Sequence, residues 1–90
     1  MLHLIAYDIA SDRRLRRVAS ICEDFGFRIE KSVFECDLDD SQYERFWELL
    51  KSAVNPNCDS VVDYPIGLLD RNRIRSLGNV KRQTEDALVF

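Results

Sequence analysis

Leu2-His3-Leu4-Ile5-Ala6-Tyr7-Asp8-Ile9 is the stretch from which the fold can be read. On an extended chain successive side chains point to opposite faces. Leu2, Leu4 and Ala6 therefore share one side, and Ile5, Tyr7 and Ile9 the other. A strand that is apolar on both sides is covered on both sides. The 90 residues form one domain, with no room for a second core. Helices of so short a chain cover only one face of a small sheet. The other face needs a second layer, and a second copy of the chain is the simplest candidate. A domain of this size buries only roughly 60–65% of its unfolded surface, so it gains from such a partner.

Working outward, Ser11 or Asp12 can cap a helix whose apolar positions are Leu15, Val18, Cys22 and Phe25, joined by Ala19 and Ile21. Gly26 ends it as a C′ residue. Phe27 and Ile29 alternate with Arg28 and Glu30, and Phe34, Cys36 and Leu38 alternate with Glu35 and Asp37. These read as two strands joined tightly near Ser32, without the usual Gly signal. Ser41 with Glu44 is read as a capping box opening a second helix, with the stripe Tyr43, Phe46, Trp47, Leu50 and Val54. Asn55-Pro56-Asn57 stops that helix. Ser60 to Ile66 is a further strand, its Pro65 suited to an edge. Gly67 to Gly78 is mixed, and Ala87 to Phe90 is a short apolar tail read as a last strand. The order strand, helix, strand, strand, helix, strand is the split βαβ arrangement of the ferredoxin-like α+β fold, with both helices on one face of an antiparallel sheet.

A hydrophobic content of 46% and a formal net charge of −3 exclude disorder and argue mildly against a protein that coats itself in nucleic acid. The bases are clustered, however, in Arg13, Arg14, Arg16 and Arg17 and again in Arg71, Arg73, Arg75, Lys81 and Arg82. Arginine matches phosphate geometry in a bidentate way, so each cluster reads either as a phosphate-backbone track or as solvated surface. Cys22, Cys36 and Cys58 lie far apart without a C-x-x-C pair. They form neither a disulfide framework nor a zinc site, and the expectation is a reducing, cytoplasmic home with each cysteine as a small core residue. No run approaches the ~20 apolar residues of a membrane span.

The chemistry concentrates at Asp8. A carboxylate at a strand's C-terminal end, followed closely by four arginines, is a plausible place to hold a divalent cation against a phosphodiester. The bland alternative is a strand-end Asp making a turn or cap hydrogen bond. One carboxylate holds Mg²⁺ weakly, and two-fold symmetry would supply a second without a second motif. His3, the only histidine, lies far along the strand from Asp8 and is a poor general base. No other His, Glu or Lys stands clearly beside Asp8.

Tyr7-Asp8-Ile9, Arg17, Gly26-Phe27-Arg28 and above all Lys31-Ser32-Val33-Phe34-Glu35-Cys36 resemble the CRISPR-associated endoribonuclease family, the small dimeric subunit of the spacer-acquisition complex. The match spans the first two-thirds of the chain. The resemblance implies a ferredoxin-like homodimer with its sheets packed face to face, and residues 67–90 as a variable C-terminal segment whose last strand pairs with the partner subunit. It also implies a Mg²⁺ (or Mn²⁺) site formed by Asp8 of each subunit, with metal-dependent hydrolysis of single-stranded RNA or double-stranded DNA. A further implied role is that of a scaffold that bridges CRISPR integrase dimers and supports duplex DNA. Catalytic positions carried over are Asp8, Tyr7, Arg17 and Arg28, together with Ser32 and Phe34. Arg13, Arg14, Arg16 and Arg17 are the nucleic-acid-binding candidates. Leu15 stands where some members place a further arginine. Each residue also has a plain structural reading: Tyr7 buried with its hydroxyl satisfied, Arg17 and Arg28 in surface ion pairs with Glu30 or Asp12, Ser32 in the strand connection, Phe34 in the core.

Overall fold

The computed structural model describes residues 1–80. Its elements are β1 (Leu2–Asp8), α1 (Asp12–Phe25), β2 (Phe27–Glu30), β3 (Val33–Asp37), α2 (Asp40–Ala53), β4 (Ser60–Ile66) and a single turn, α3 (Leu68–Arg71). The four strands form one sheet in the order β2-β3-β1-β4, every pair antiparallel. This is the ferredoxin-like fold expected from the order of elements. The expected strand Ala87 to Phe90, with Lys81 and Arg82, lies outside the described residues. No helix among the described residues is long and apolar enough to cross a membrane.

Ile5, Tyr7 and Ile9 meet the helices, and with Phe34, Cys36, Val18, Cys22, Phe46 and Leu50 they make the core. Phe34, Phe46, Ile5 and Val18 are wholly buried, each contributing about 1.5–3 kcal/mol relative to exposure. Phe25 and Phe46 pack with ring centroids 5.1 Å apart, joining α1 to α2.

Several local expectations are corrected. The capping box of α2 is Asp39 with Gln42, two residues earlier than Ser41 with Glu44: Asp39 Oδ1 accepts from Gln42 N at 2.8 Å, and Gln42 Oε1 accepts from Asp39 N at 2.9 Å. The same three-residue spacing occurs twice in the sequence. The earlier pair prevails because Leu38 is buried and anchors the chain directly before Asp39. Ser11 caps α1, its hydroxyl accepting from Arg14 N at 3.3 Å. Leu15 is 37% exposed and lies off the core stripe. Gly26 is not a left-handed cap; its backbone is extended (φ −158°, ψ −160°). Glycine is required there because a Cβ would overlap the Glu35 carbonyl oxygen and Cys36 Sγ of β3. Cys22 and Cys36 are buried as expected, but Cys58 is exposed.

The β4 alternation carries the most information. By register with β1, Val61, Asp63 and Pro65 share the face of Tyr7, Ile5 and His3, toward the helices. Val62, Tyr64 and Ile66 share the opposite face with Ala6, Leu4 and Leu2. The more apolar set thus looks away from α1 and α2, with α3 near its Leu2 and Ile66 end. Val62 is 43% exposed and Tyr64 53%, with Phe27 of β2 on the same side.

Candidate functional site

Asp8 closes β1 on this open face. It is opposite Ser60 in the ladder and two register pairs beyond Ala6 and Val62, hence on their face. It is exposed, and among the described residues no hydrogen bond or ion pair holds its carboxylate. The turn or cap hydrogen bond of the bland reading is therefore absent there.

The α1 arginines divide. Arg13, Arg16 and Arg17, spaced i, i+3 and i+4, fall along one helix face. All three are exposed and lack an ion pair among the described residues. They sit in the first turns, where the helix dipole disfavours cations, so a bound anion would relieve them. Arg14 differs. Its Nε donates to Asp59 Oδ2 at 2.7 Å and its Nη2 to Asp59 Oδ1 at 3.1 Å, and Nη2 also reaches Cys58 Sγ at 3.3 Å. The expected row of four phosphate-facing arginines is thus a row of three, since the fourth already faces a carboxylate of its own chain.

Asp59 was not singled out by sequence, although it organises this corner. Besides Arg14, it accepts from Ala10 N at 2.9 Å and Asn55 N at 2.8 Å, and its side chain is shut away from solvent. The Arg14 guanidinium first, and the backbone N–H groups of Ala10 and Asn55 next, hold its carboxyl well below the usual carboxylate range. One carboxylate so joins the β1–α1 turn to the α2–β4 turn. An Asp four residues after a helix-stopping Asn-Pro was the available signal, and it is a weak one.

Tyr7 and Arg28 are not brought to Asp8. Tyr7 is 6% exposed and faces the helices, opposite to Asp8 by strand alternation. Its hydroxyl donates to the Lys31 carbonyl at 3.3 Å, and burial raises its pKa. Arg28 Nη1 donates to that same carbonyl at 2.7 Å, with its guanidinium carbon 4.9 Å from the centre of the Phe34 ring. Its ion pair is a 3.8 Å contact with Glu23, not with Glu30 or Asp12, and such exposed pairs contribute little. Tyr7 and Arg28 brace the Lys31–Ser32 turn, where Ser32 O also accepts from Tyr7 N at 3.1 Å. Ser32 belongs to the strand connection and Phe34 to the core, as their plain readings had it.

His3 is also engaged elsewhere. Its Nδ1 lies 2.9 and 3.1 Å from the two Asp63 oxygens. Tyr43 donates to Asp63 Oδ2 at 2.7 Å and stacks on His3 with centroids 4.5 Å apart. Burial first, and then the bond to Asp63, push the Tyr43 hydroxyl up to about 12. Asp63 was missed because its face of β4 reads as the solvent side.

The metal implied by the resemblance can be tested against the donor set. Among the described residues no group of three or more His, Cys, Asp or Glu side chains gathers. Asp8 offers a hard oxygen that no internal partner holds, which suits Mg²⁺ or Mn²⁺. A single chain provides that one ligand, so the others must come from a second copy, from phosphate oxygens and from water.

The family model described as CRISPR associated protein Cas2 matches residues 1–74. A CRISPR-associated endoribonuclease Cas2 of Nitratidesulfovibrio vulgaris is 37% identical over 83 residues, covering 87% of this chain and 81% of that protein. A CRISPR-associated endonuclease Cas2 of Halalkalibacterium halodurans is 33% identical over an alignment of 96 residues that covers both chains in full. Among solved structures, the crystal structure of Streptococcus pyogenes Cas2 superposes with a TM-score of 0.76 at 31% identity, covering 87% of this chain and all of the other.

Proposed function

Because this chain belongs to the CRISPR-associated Cas2 family, we propose that it works as a homodimeric nuclease subunit in CRISPR defence, cleaving phosphodiester bonds with the help of Mg²⁺ or Mn²⁺. A CRISPR-associated endoribonuclease or endonuclease role follows from the family. The dimer, the metal, duplex DNA or single-stranded RNA as substrate, and an integrase subunit as partner in spacer acquisition are our reading. The observation that carries it is Asp8: an unengaged carboxylate at the rim of a sheet face that turns Val62 and Tyr64 away from the protein's own core.

A two-fold axis through that face would cover these side chains and bring two Asp8 carboxylates to one place. Asp8 of each copy would hold the metal, which when bound neutralises phosphate charge and makes water more acidic. Arg13, Arg16 and Arg17 offer three guanidinium groups to the backbone phosphates, positioning the strand without reading its sequence. Tyr7 and Arg28 act at a remove, by fixing the turn beside β1.

One observation favours a second reading, a catalytically silent scaffold that bridges integrase dimers on duplex DNA. The only histidine is engaged by Asp63 on the opposite face of β1, five residues or about 17 Å along the strand from Asp8, and so supplies no general base. Asp8→Ala separates the two. The nuclease reading expects a dimer of unchanged mass by light scattering that no longer cleaves single-stranded RNA or duplex DNA with Mg²⁺. Cleavage at the wild-type rate in Asp8→Ala, or a wild type that is monomeric, overturns it.

A further inference from the structure

We propose that Asp59, acting through Arg14 and the backbone N–H of Ala10, is a positioning residue that sets Asp8 relative to the arginine stripe of α1. The inference rests on the nuclease reading above. Ala10 lies two residues after Asp8, and its N–H donates to Asp59 Oδ1 at 2.9 Å. Arg14 lies between Arg13 and Arg16 on α1, and its fork grips both Asp59 oxygens at 2.7 and 3.1 Å. Asn55 N, at 2.8 Å, ties the same carboxylate to the end of α2, and Ser60, the next residue, pairs with Asp8 across the sheet.

Asp8 is therefore held from both sides by one anchor. The chain leaving β1 is fixed at Ala10, and the strand opposite Asp8 is fixed at Asp59. The Asp59 side chain bonds both to the turn that follows Asp8 and to the arginine helix. The Asp59 carboxylate touches no exposed surface itself, so its effect on a bound phosphodiester is transmitted entirely through geometry. Because a displacement of about 1 Å at a reacting centre can cost ~10²-fold in rate, loosening this anchor acts on the chemical step more than on binding.

The test compares wild type, Asp59→Asn and Arg14→Gln at a temperature where circular dichroism shows each fully folded. Single-turnover Mg²⁺-dependent cleavage of a short single-stranded RNA and a short DNA duplex is measured alongside the salt dependence of duplex binding. The expected result is a cleavage rate at least about tenfold lower in both variants, with the slope of log affinity against log salt unchanged, because Arg13, Arg16 and Arg17 remain. Arg14→Gln leaves Asp59 its two backbone donors and carries the comparison should Asp59→Asn fail to fold. Rates equal to wild type in the folded variants overturn the inference and leave the nuclease reading standing. A salt slope shallower by about 0.9 in Arg14→Gln makes Arg14 a phosphate contact instead, and also overturns it. A wild type that cleaves neither substrate, in a preparation that still binds duplex, overturns the nuclease reading and the inference with it.

Discussion

Gly26→Ala sets two opposing effects against each other, and the structure decides between them. At φ −158° and ψ −160° the backbone is one that alanine adopts freely. Restricting the unfolded chain would then stabilise the protein by about 0.4–1 kcal/mol. Against this, the new Cβ would overlap the Glu35 carbonyl oxygen and Cys36 Sγ and come within 3.1 Å of the Glu35 carbonyl carbon. Neither neighbour has room to yield. Cys36 is fully buried and Glu35 is 4% exposed, and β3 is paired on both sides, to β1 and to β2. Overpacking of this kind costs about 1–3 kcal/mol. The net is a loss of up to about 2.6 kcal/mol, and at roughly 4–8 °C per kcal/mol for a domain of this size the melting temperature falls by up to about 20 °C. The assay is thermal melting followed by far-ultraviolet circular dichroism. Gly67→Ala is the matched control, because the nearest atom to a Cβ there is Asp70 Oδ2 at an ordinary 3.9 Å. A Gly26→Ala protein that melts at or above wild type refutes the packing argument.

The thiols offer a chemical check: burial pushes Cys22 and Cys36 up to about 12, while Cys58 is exposed. A disulfide-exchange reagent at pH 8 should release about one equivalent promptly from the native protein and all three only in denaturant; prompt release of more than one contradicts the core assignment. The acid limb checks Asp59. Its folded carboxyl titrates below the unfolded value, so its contribution is present above about pH 4 and is lost as pH falls through the lower, folded value. Urea midpoints of wild type and Asp59→Asn should therefore differ at pH 7 and converge as the medium is acidified below pH 4; a gap that widens on acidification would reverse the sign.

The sequence made the architecture legible because period-two and period-3.6 patterns are set by burial, and burial dominates in β1, α1 and α2. Phe34 and Cys36 fell on the core face for that reason. The reading failed where a polar group satisfies its bonds far along the chain. Arg14 looks like Arg13 and Arg16 in sequence, and only folding reveals that Asp59, 45 residues away, takes its guanidinium. Asp63 was hidden differently. A carboxylate bonded to His3 and Tyr43 stands on the helix-facing side of β4, where alternation alone would lead one to expect an apolar side chain. Asp8 could be found because it interrupts an apolar run. Tyr7, its neighbour, entered the same site only through the family resemblance, although strand alternation sends the two side chains to opposite faces.

The sheet order has a consequence during synthesis. β1 leaves the ribosome first but occupies an interior place, flanked by β3 and β4. Its second flank is not complete until Ile66 has been made. At roughly 5–20 residues per second, the most apolar strand of the nascent chain waits about 3–12 s with at least one side open to other chains. Yield at high expression should therefore respond to translation rate and to chaperones that shield extended segments, even in variants whose finished fold is as stable as wild type.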